Sequence, residues 1–222
     1  MPDFIRAEGG IRLDVLIGTT NPSKVDRLER LLEGRGVHFL TLRDLHVVEE
    51  PAETGRSPEE NARIKAAFYG RFFDPVICND SGLYFDGLPI DDPRQPGLHV
   101  RSPEGKRLDD DEMIEYYAAL IRGLGGKVLA YYLDGLAVCK GGRVESCAEN
   151  DPEDRSGAFY MVDHASPLRH AGWPLDSLSI DPHTNAYFVD PAPIAPPQEP
   201  QRLRITARHR RVSAFLARAL GL

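Results

Sequence analysis

The run Val76-Ile77-Cys78-Asn79-Asp80-Ser81-Gly82-Leu83 constrains this chain more than any other stretch. It opens apolar and β-branched, as a buried strand does, and stops on an amide, a carboxylate and a hydroxyl before a glycine. A strand ending this way sets polar side chains at its carboxyl end, where open α/β sheets bind ligands. The same residues also suit an Asx-type turn into a further strand, Leu83-Tyr84-Phe85-Asp86. The neighbouring segments decide between these readings.

Upstream, Leu13-Asp14-Val15-Leu16-Ile17 reads as a strand closed by Gly18. Thr19-Thr20-Asn21-Pro22-Ser23-Lys24 then opens a helix, with Asn21 as its cap and Pro22 in its first position. Val25, Leu28, Leu31 and Leu32 follow at helical spacing until Gly34 and Gly36. Free N–H groups, the positive end of the helix dipole and Lys24 make this junction an anion site, although a plain capped helix with a solvated lysine has the same sequence.

Val37 to Leu42 gives a second strand, and Glu49-Glu50-Pro51-Ala52-Glu53-Thr54-Gly55 an acidic turn. Carboxylates there either stay solvated or face Asp80 and hold Mg²⁺, an ion that takes carboxylates, waters and substrate oxygens. Ser57-Pro58-Glu59-Glu60 starts a helix with a capping box. Asn61 and Lys65 point the same way along it, while Ile64, Ala67 and Phe72 offer the core stripe.

Downstream, residues 87 to 107 form an irregular loop rich in Gly, Pro, Asp and Arg, of a length that is often functional. Asp109-Asp110-Asp111-Glu112 caps a helix running to Ile121. Val128–Leu133, Gly135–Cys139 and Val144–Ala148 read as antiparallel strands, the last two joined by a hairpin at Lys140-Gly141-Gly142-Arg143. Ala158 to Val162 is a further strand. Trp173, the one tryptophan, reads as an anchoring core aromatic, and Asp190 to Pro200 as a stiff proline connector. Thr206 to Leu220 is an amphipathic helix whose start, Arg204-Ile205-Thr206-Ala207-Arg208-His209-Arg210-Arg211, is the one basic cluster. Cations at a helix N-terminus oppose its dipole, which an anionic ligand would explain.

The 222 residues suffice for a sizeable core. A net charge of -7 and a pI near 5.5 argue against a general nucleic-acid or anionic-membrane binder, so any phosphate site must be local. Asp3 and Glu8 interrupt the start of the chain, which argues against a secretory signal, and no apolar run is long enough to cross a bilayer. Three cysteines without metal-pair spacing fit a reducing cytoplasm. Residues 1 to 10 read as a polar leader, and 11 to 222 as a single domain without repeats.

Taken together, the stretches Thr19-Thr20-Asn21-Pro22-Ser23-Lys24, Glu53-Thr54-Gly55, Glu59-Glu60-Asn61-Ala62-Arg63-Ile64-Lys65-Ala66, Asn79-Asp80-Ser81-Gly82-Leu83 and Pro96-Gly97 resemble the inosine triphosphate pyrophosphatase family, in its order and near its spacing. The resemblance is dense from residue 13 to about 97 and looser beyond. It departs at Asn79, where the family places an acid, at Arg204, where it places a lysine, and at Gly172-Trp173-Pro174-Leu175-Asp176, a lengthened version of its base-contacting segment.

The resemblance implies an α/β fold, with an elongated mixed central sheet flanked by helices and two lobes about an active-site cleft. It implies a Mg²⁺-dependent, cytoplasmic, homodimeric hydrolase that cleaves between the α and β phosphates of non-standard purine triphosphates such as ITP, dITP and XTP. The alternatives are a related house-cleaning pyrophosphatase for another modified nucleotide, or a nucleotide-binding relative without hydrolysis. Asp80 would be catalytic and would hold Mg²⁺ with Glu50. Thr19, Thr20, Asn21, Lys24, Lys65, Ser81 and Arg210 would face phosphate or substrate, and Trp173, Asp176, Arg204 and His209 would face the base.

Overall fold

A computed structural model describes residues 12–170, 172–191 and 199–222, apart from the side chains of Ser23, Glu104 and residues 199–206. The expected polar leader, most of the proline connector and the side chain of Arg204 lie outside the described residues. Among the described residues one mixed seven-stranded sheet organises the chain. Its strands are β1 (Leu13–Ile17), β2 (Val37–Thr41), β3 (Val76–Phe85), β4 (Lys127–Lys140), β5 (Arg143–Ala148), β6 (Phe159–Val162) and β7 (Ser179–Ile180). The spatial order is β2-β1-β3-β4-β6-β7, and β5 pairs with β4 alone. β1 is parallel to β2 and to β3, whereas the pairs of β4 are all antiparallel.

Among the described residues four α-helices cover this sheet: α1 (Pro22–Leu31), α2 (Pro58–Tyr69), α3 (Asp110–Gly123) and α4 (Glu199–Leu220). Their starts follow the local chemistry. Ser57 Oγ accepts from Glu60 N–H at 3.1 Å at the head of α2. Glu60 does not close the expected box, because its own carboxylate accepts from Arg56 N–H at 2.7 Å. The reciprocal box forms instead at α3, between Asp109 and Glu112. Gly34 and Gly36, with φ of 74° and 69°, turn the chain out of α1 in a conformation that glycine adopts without strain.

Side chains alternate across β3 and β4, so the two faces have separate cores. On one face Ile77, Leu136 and Val138 pack with Leu28 and Leu32 of α1 and with Val212, Leu216 and Leu220 of α4. Further along the same face Leu83, Phe85 and Ala130 pack with Met113, Ile114, Tyr117 and Ile121 of α3. The opposite face sets Val76, Cys78, Ala137 and Cys139 against Ala62, Ala66 and Tyr69 of α2. Full burial of each such leucine or isoleucine contributes about 1.5–3 kcal/mol. Phe72, expected on the α2 stripe, is exposed, because the helix ends at Tyr69 and the chain turns away.

Three element boundaries differ from the sequence expectation. β3 does not end at Asn79-Asp80-Ser81 but runs through them to Phe85, because β4 pairs with it along the whole length, from Val76↔Cys139 to Phe85↔Ala130. β4 likewise continues through Asp134-Gly135 as one strand of 14 residues. A Cβ at Gly135 would stand 2.3 Å from the Glu59 backbone nitrogen, so the bare glycine lets the first turn of α2 lie on the sheet. Helix α4 begins at Glu199, before the expected Thr206. Among the described residues no helix is long and apolar enough to cross a membrane.

Candidate active site

The edge of β3 that faces β1 is only partly covered. β1 pairs with it at Leu16↔Val76 and Ile17↔Ile77, after which the chain leaves at Gly18. Gly97, from the long loop, returns to the same edge at Leu83 through reciprocal hydrogen bonds of 2.9 and 2.8 Å. Between these two contacts lie Asn79, Asp80 and Ser81. The polar triplet is therefore a gap in strand pairing, set where the neighbouring strand departs and the α1 N-terminus begins.

Alternation sends Asp80 to the α2 face, where it is 5% exposed. Its Oδ1 accepts from Lys65 Nζ at 2.7 Å, and its Oδ2 from Asn61 Nδ2 at 3.1 Å. Asn61 is buried and uses its other end on the acidic turn, accepting from Gly55 N–H at 2.8 Å. One amide thus ties Asp80, α2 and the acidic turn together. Lys65 Nζ also lies 3.0 Å from Glu53. Burial works against its ammonium, but the two carboxylates outweigh this and hold its pKa above that of an ordinary lysine. Glu53, not Glu50, is the acid drawn into the cluster. Glu50 is exposed, though its charge is felt at Tyr69 on the same face.

The other face carries a cleft of about 410 Å³ between the α1/α4 core and the α3 core. Asn21, Lys24, Asn79, Ser81 and Asp134 line its polar part, and Tyr132, Trp173, Leu175 and Met113 its apolar part. Trp173 is not a core anchor. It is 37% exposed at the mouth of the cleft, held on a turn before a 3-10 helix (Pro174–Ser177). Asp176 lines the same wall, bonded to His170 at 3.1 Å. Burial pushes its carboxyl pKa up, and His170 opposes that.

Lys24 joins the two halves. It lines the cleft, and its charge interacts with Asp80 and Lys65 on one side of the sheet and Asp134 on the other. No ion pair holds it among the described residues, and burial pushes its pKa below that of an ordinary lysine. An anion entering the cleft meets a partly desolvated ammonium that no carboxylate pairs directly among the described residues, although Asp80, Asp134 and Glu53 act on it from further off. Thr19 stiffens this turn by accepting from Asn21 N–H at 3.2 Å, while Thr20 is exposed and neither threonine lines the cleft.

Two expected residues lie elsewhere. His209 and Arg210 border a separate surface depression with Arg30 and Arg35 between α1 and α4. Successive helical residues are turned by about 100°, and it is the neighbouring Arg208 that reaches the polar part of β4. Its Nη2 donates to Asp134 Oδ2 at 2.8 Å, and Asp134 Oδ1 accepts from Ser81 Oγ at 2.7 Å. Behind them the fully buried Glu149 takes Arg27 of α1 at 3.0 Å and stands 3.5 Å from Arg208. Sequence reading passed over Asp134 because Asp-Gly looks like a strand break. The available signal was an acid between two apolar runs in phase with each other.

Comparison with known proteins places the chain in a family. The family model described as "Ham1 family" matches residues 15–151, more than half of the chain. The chain belongs to the Ham1 family. This Ham1-family chain is 34% identical over 115 residues to a dITP/XTP pyrophosphatase of Bacillus subtilis, covering 51% of this chain and 56% of that one. Against the dITP/XTP pyrophosphatase of Thermoanaerobacter pseudethanolicus it is 28% identical over 157 residues, covering 67% and 77%. The chain thus spans only about half the length of the Bacillus relative. A HAM1 protein of Coxiella burnetii has the same fold, with a TM-score of 0.64 at 18% identity over 93% of this chain and 99% of that one. A nucleoside-triphosphatase of Mycobacterium abscessus gives 0.58 at 22% identity over 92% and 99%.

Proposed function

We propose that this Ham1-family chain hydrolyses non-standard purine nucleoside triphosphates to the monophosphate and pyrophosphate. The observation that carries the reading is the partly buried Lys24, in no ion pair among the described residues, between the Asp80–Lys65–Asn61 cluster and an aromatic-walled cleft. A triphosphate needs cations near a general base, and its base needs an apolar slot. The names of the relatives support the same class of substrate.

In this reading Lys24, Asn21 and the first turn of α1 receive the phosphates. Lys65 stays charged and adds a second cation. Asp80 orients the attacking water and takes its proton. Each of its oxygens has one lone pair engaged by α2 and one remaining. Trp173 stacks on the base while Asp176 borders it. A 6-oxo purine is selected by donors that adenine's amino group leaves unsatisfied.

The donor set fits Mg²⁺, because the acids at the α2 face, Asp80, Glu53 and Glu50, offer hard oxygens and no thiolate or imidazole. Among the described residues these acids do not form a group of three close enough to enclose a metal by themselves, so substrate oxygens and waters would complete the shell. When bound, the ion supplies charge neutralisation at the phosphates. Three free thiols support a reducing, cytoplasmic setting. A homodimer belongs to the reading by resemblance alone.

Pyrophosphate release with Mg²⁺ over ITP, XTP, dITP, GTP and ATP tests it. Turnover of the first three well above the last two is expected. No release from any of them overturns the enzyme, and preferred release from ATP overturns the base selection.

A further inference from the structure

The middle of the cleft is held by a carboxylate that the hydrolysis above does not use. We propose that Asp134 reads the sugar of the bound nucleotide, its carboxylate accepting a hydrogen bond from a ribose hydroxyl. This inference rests on the nucleotide reading and adds a subsite to it.

Position is the first argument. The cleft is cationic at Lys24, Arg27 and Arg101, of which the two arginines are paired with Glu149 and Asp110, and aromatic at Tyr132 and Trp173. Asp134 lies two residues along β4 from Tyr132, on the same face and about 6–7 Å away. Across the ladder its partner is Ser81, the neighbour of Asp80. A nucleotide with phosphates at Lys24 and its ring by Tyr132 and Trp173 brings its sugar over Asp134.

Chemistry is the second. A carboxylate repels phosphate and cannot stack, so its use at this point is to accept from hydroxyl or N–H donors. Oδ1 takes the Ser81 hydroxyl and Oδ2 the Arg208 guanidinium, which fixes the group and leaves a lone pair on each oxygen. Arg208 also offsets the charge, so Asp134 adds little repulsion toward a triphosphate. Asn79, on the same face two residues before Ser81, is 3% exposed, lines the cleft, and has a side-chain carbonyl without a partner among the described residues. A sugar hydroxyl over this face meets the Asp134 carboxylate as its acceptor, since the Asn79 oxygen is shielded from the cleft.

The test compares kcat/KM for the ribo, 2′-deoxy and 3′-deoxy forms of inosine triphosphate in the wild type, Asp134→Ala and Asp134→Asn. The wild type is expected to favour the ribo form over at least one deoxy form by about tenfold or more, since a site built around a substrate hydroxyl rejects the analogue lacking it. Asp134→Ala is expected to bring that ratio close to one, with Asp134→Asn between. Where the alanine variant fails to fold, the isosteric Asn variant carries the comparison, and an unchanged ratio in it overturns the proposal. Sugar-blind kinetics in the wild type, or equal losses on all three substrates in Asp134→Ala, also overturn it while leaving the hydrolase reading intact. A wild type that hydrolyses none of them overturns both.

Discussion

Asp80 has few neighbours, and each has a separate job. Asn61 fixes one oxygen and the acidic turn, Lys65 the other oxygen and Glu53, and Lys24 acts on Asp80 by charge alone, in no ion pair among the described residues. Because burial holds the Lys24 pKa below the ordinary lysine value, pH should reveal it. Phosphate needs the charged form, so kcat/KM, which reports the free enzyme, should fall as pH rises through that lowered value. Lys24→Arg should move this alkaline limb upward, because a guanidinium stays charged; an unmoved limb would assign it to another group. Folding carries the matching sign. The folded pKa lies below the unfolded one, so the buried charge opposes folding at lower pH, and stability rises with pH through that window. Asn61 was legible in the sequence as a neighbour of Lys65 on one helix face. Its bond to Gly55 was not, since nothing local says where a loop six residues earlier will fold.

Among the elements, the starts of α2 and α3 were the easiest to read, because Ser57-Pro58 and Asp109–Glu112 carry their caps in the sequence, whereas α4, with no such signal, begins well before the expected Thr206. Strands with internal polar residues were the hardest. Asn79-Asp80-Ser81-Gly82 and Asp134-Gly135 both look like turns, yet each lies in mid-strand, because ten consecutive residue pairs of β3 and β4 hold them in register. Tertiary pairing overrides local turn preference, and the site arises where the two polar stretches meet across the ladder. Gly135 marks where α2 must approach the sheet. Gly135→Ala should lift the first turn of α2, costing about 2–3 kcal/mol in chemical denaturation. It should also lower kcat by displacing Asn61 and Lys65. Unchanged stability would mean that α2 is not seated there.

Across the whole molecule, two apolar cores on one face of the sheet leave a cleft between them, while β3 presents Asp80 on the other face, held there by α2. The acidic composition concealed the local cations, and the basic start of α4 was legible only as a cluster. Helical rotation, which no sequence pattern set relative to β4, turned Arg208 inward and His209 and Arg210 to a separate depression. Glu149 ties α1 and α4 to this arrangement. Replacing it by alanine leaves Arg27 and Arg208 facing each other without their shared acid. Because both arginines are partly exposed, Glu149→Ala should cost about 2–4 kcal/mol in thermal or urea unfolding, at the lower end for a buried pair. A change below about 0.5 kcal/mol would remove Glu149 as a tie.

The central claim is that Asp80 does chemistry in the cluster that α2 builds around it. The most direct measurement is single-turnover pyrophosphate release from ITP by the wild type and Asp80→Asn, with nucleotide binding measured on the same samples. A loss of about a hundredfold or more in rate, with binding kept within about tenfold, is the predicted result. Equal rates in the two proteins would contradict it.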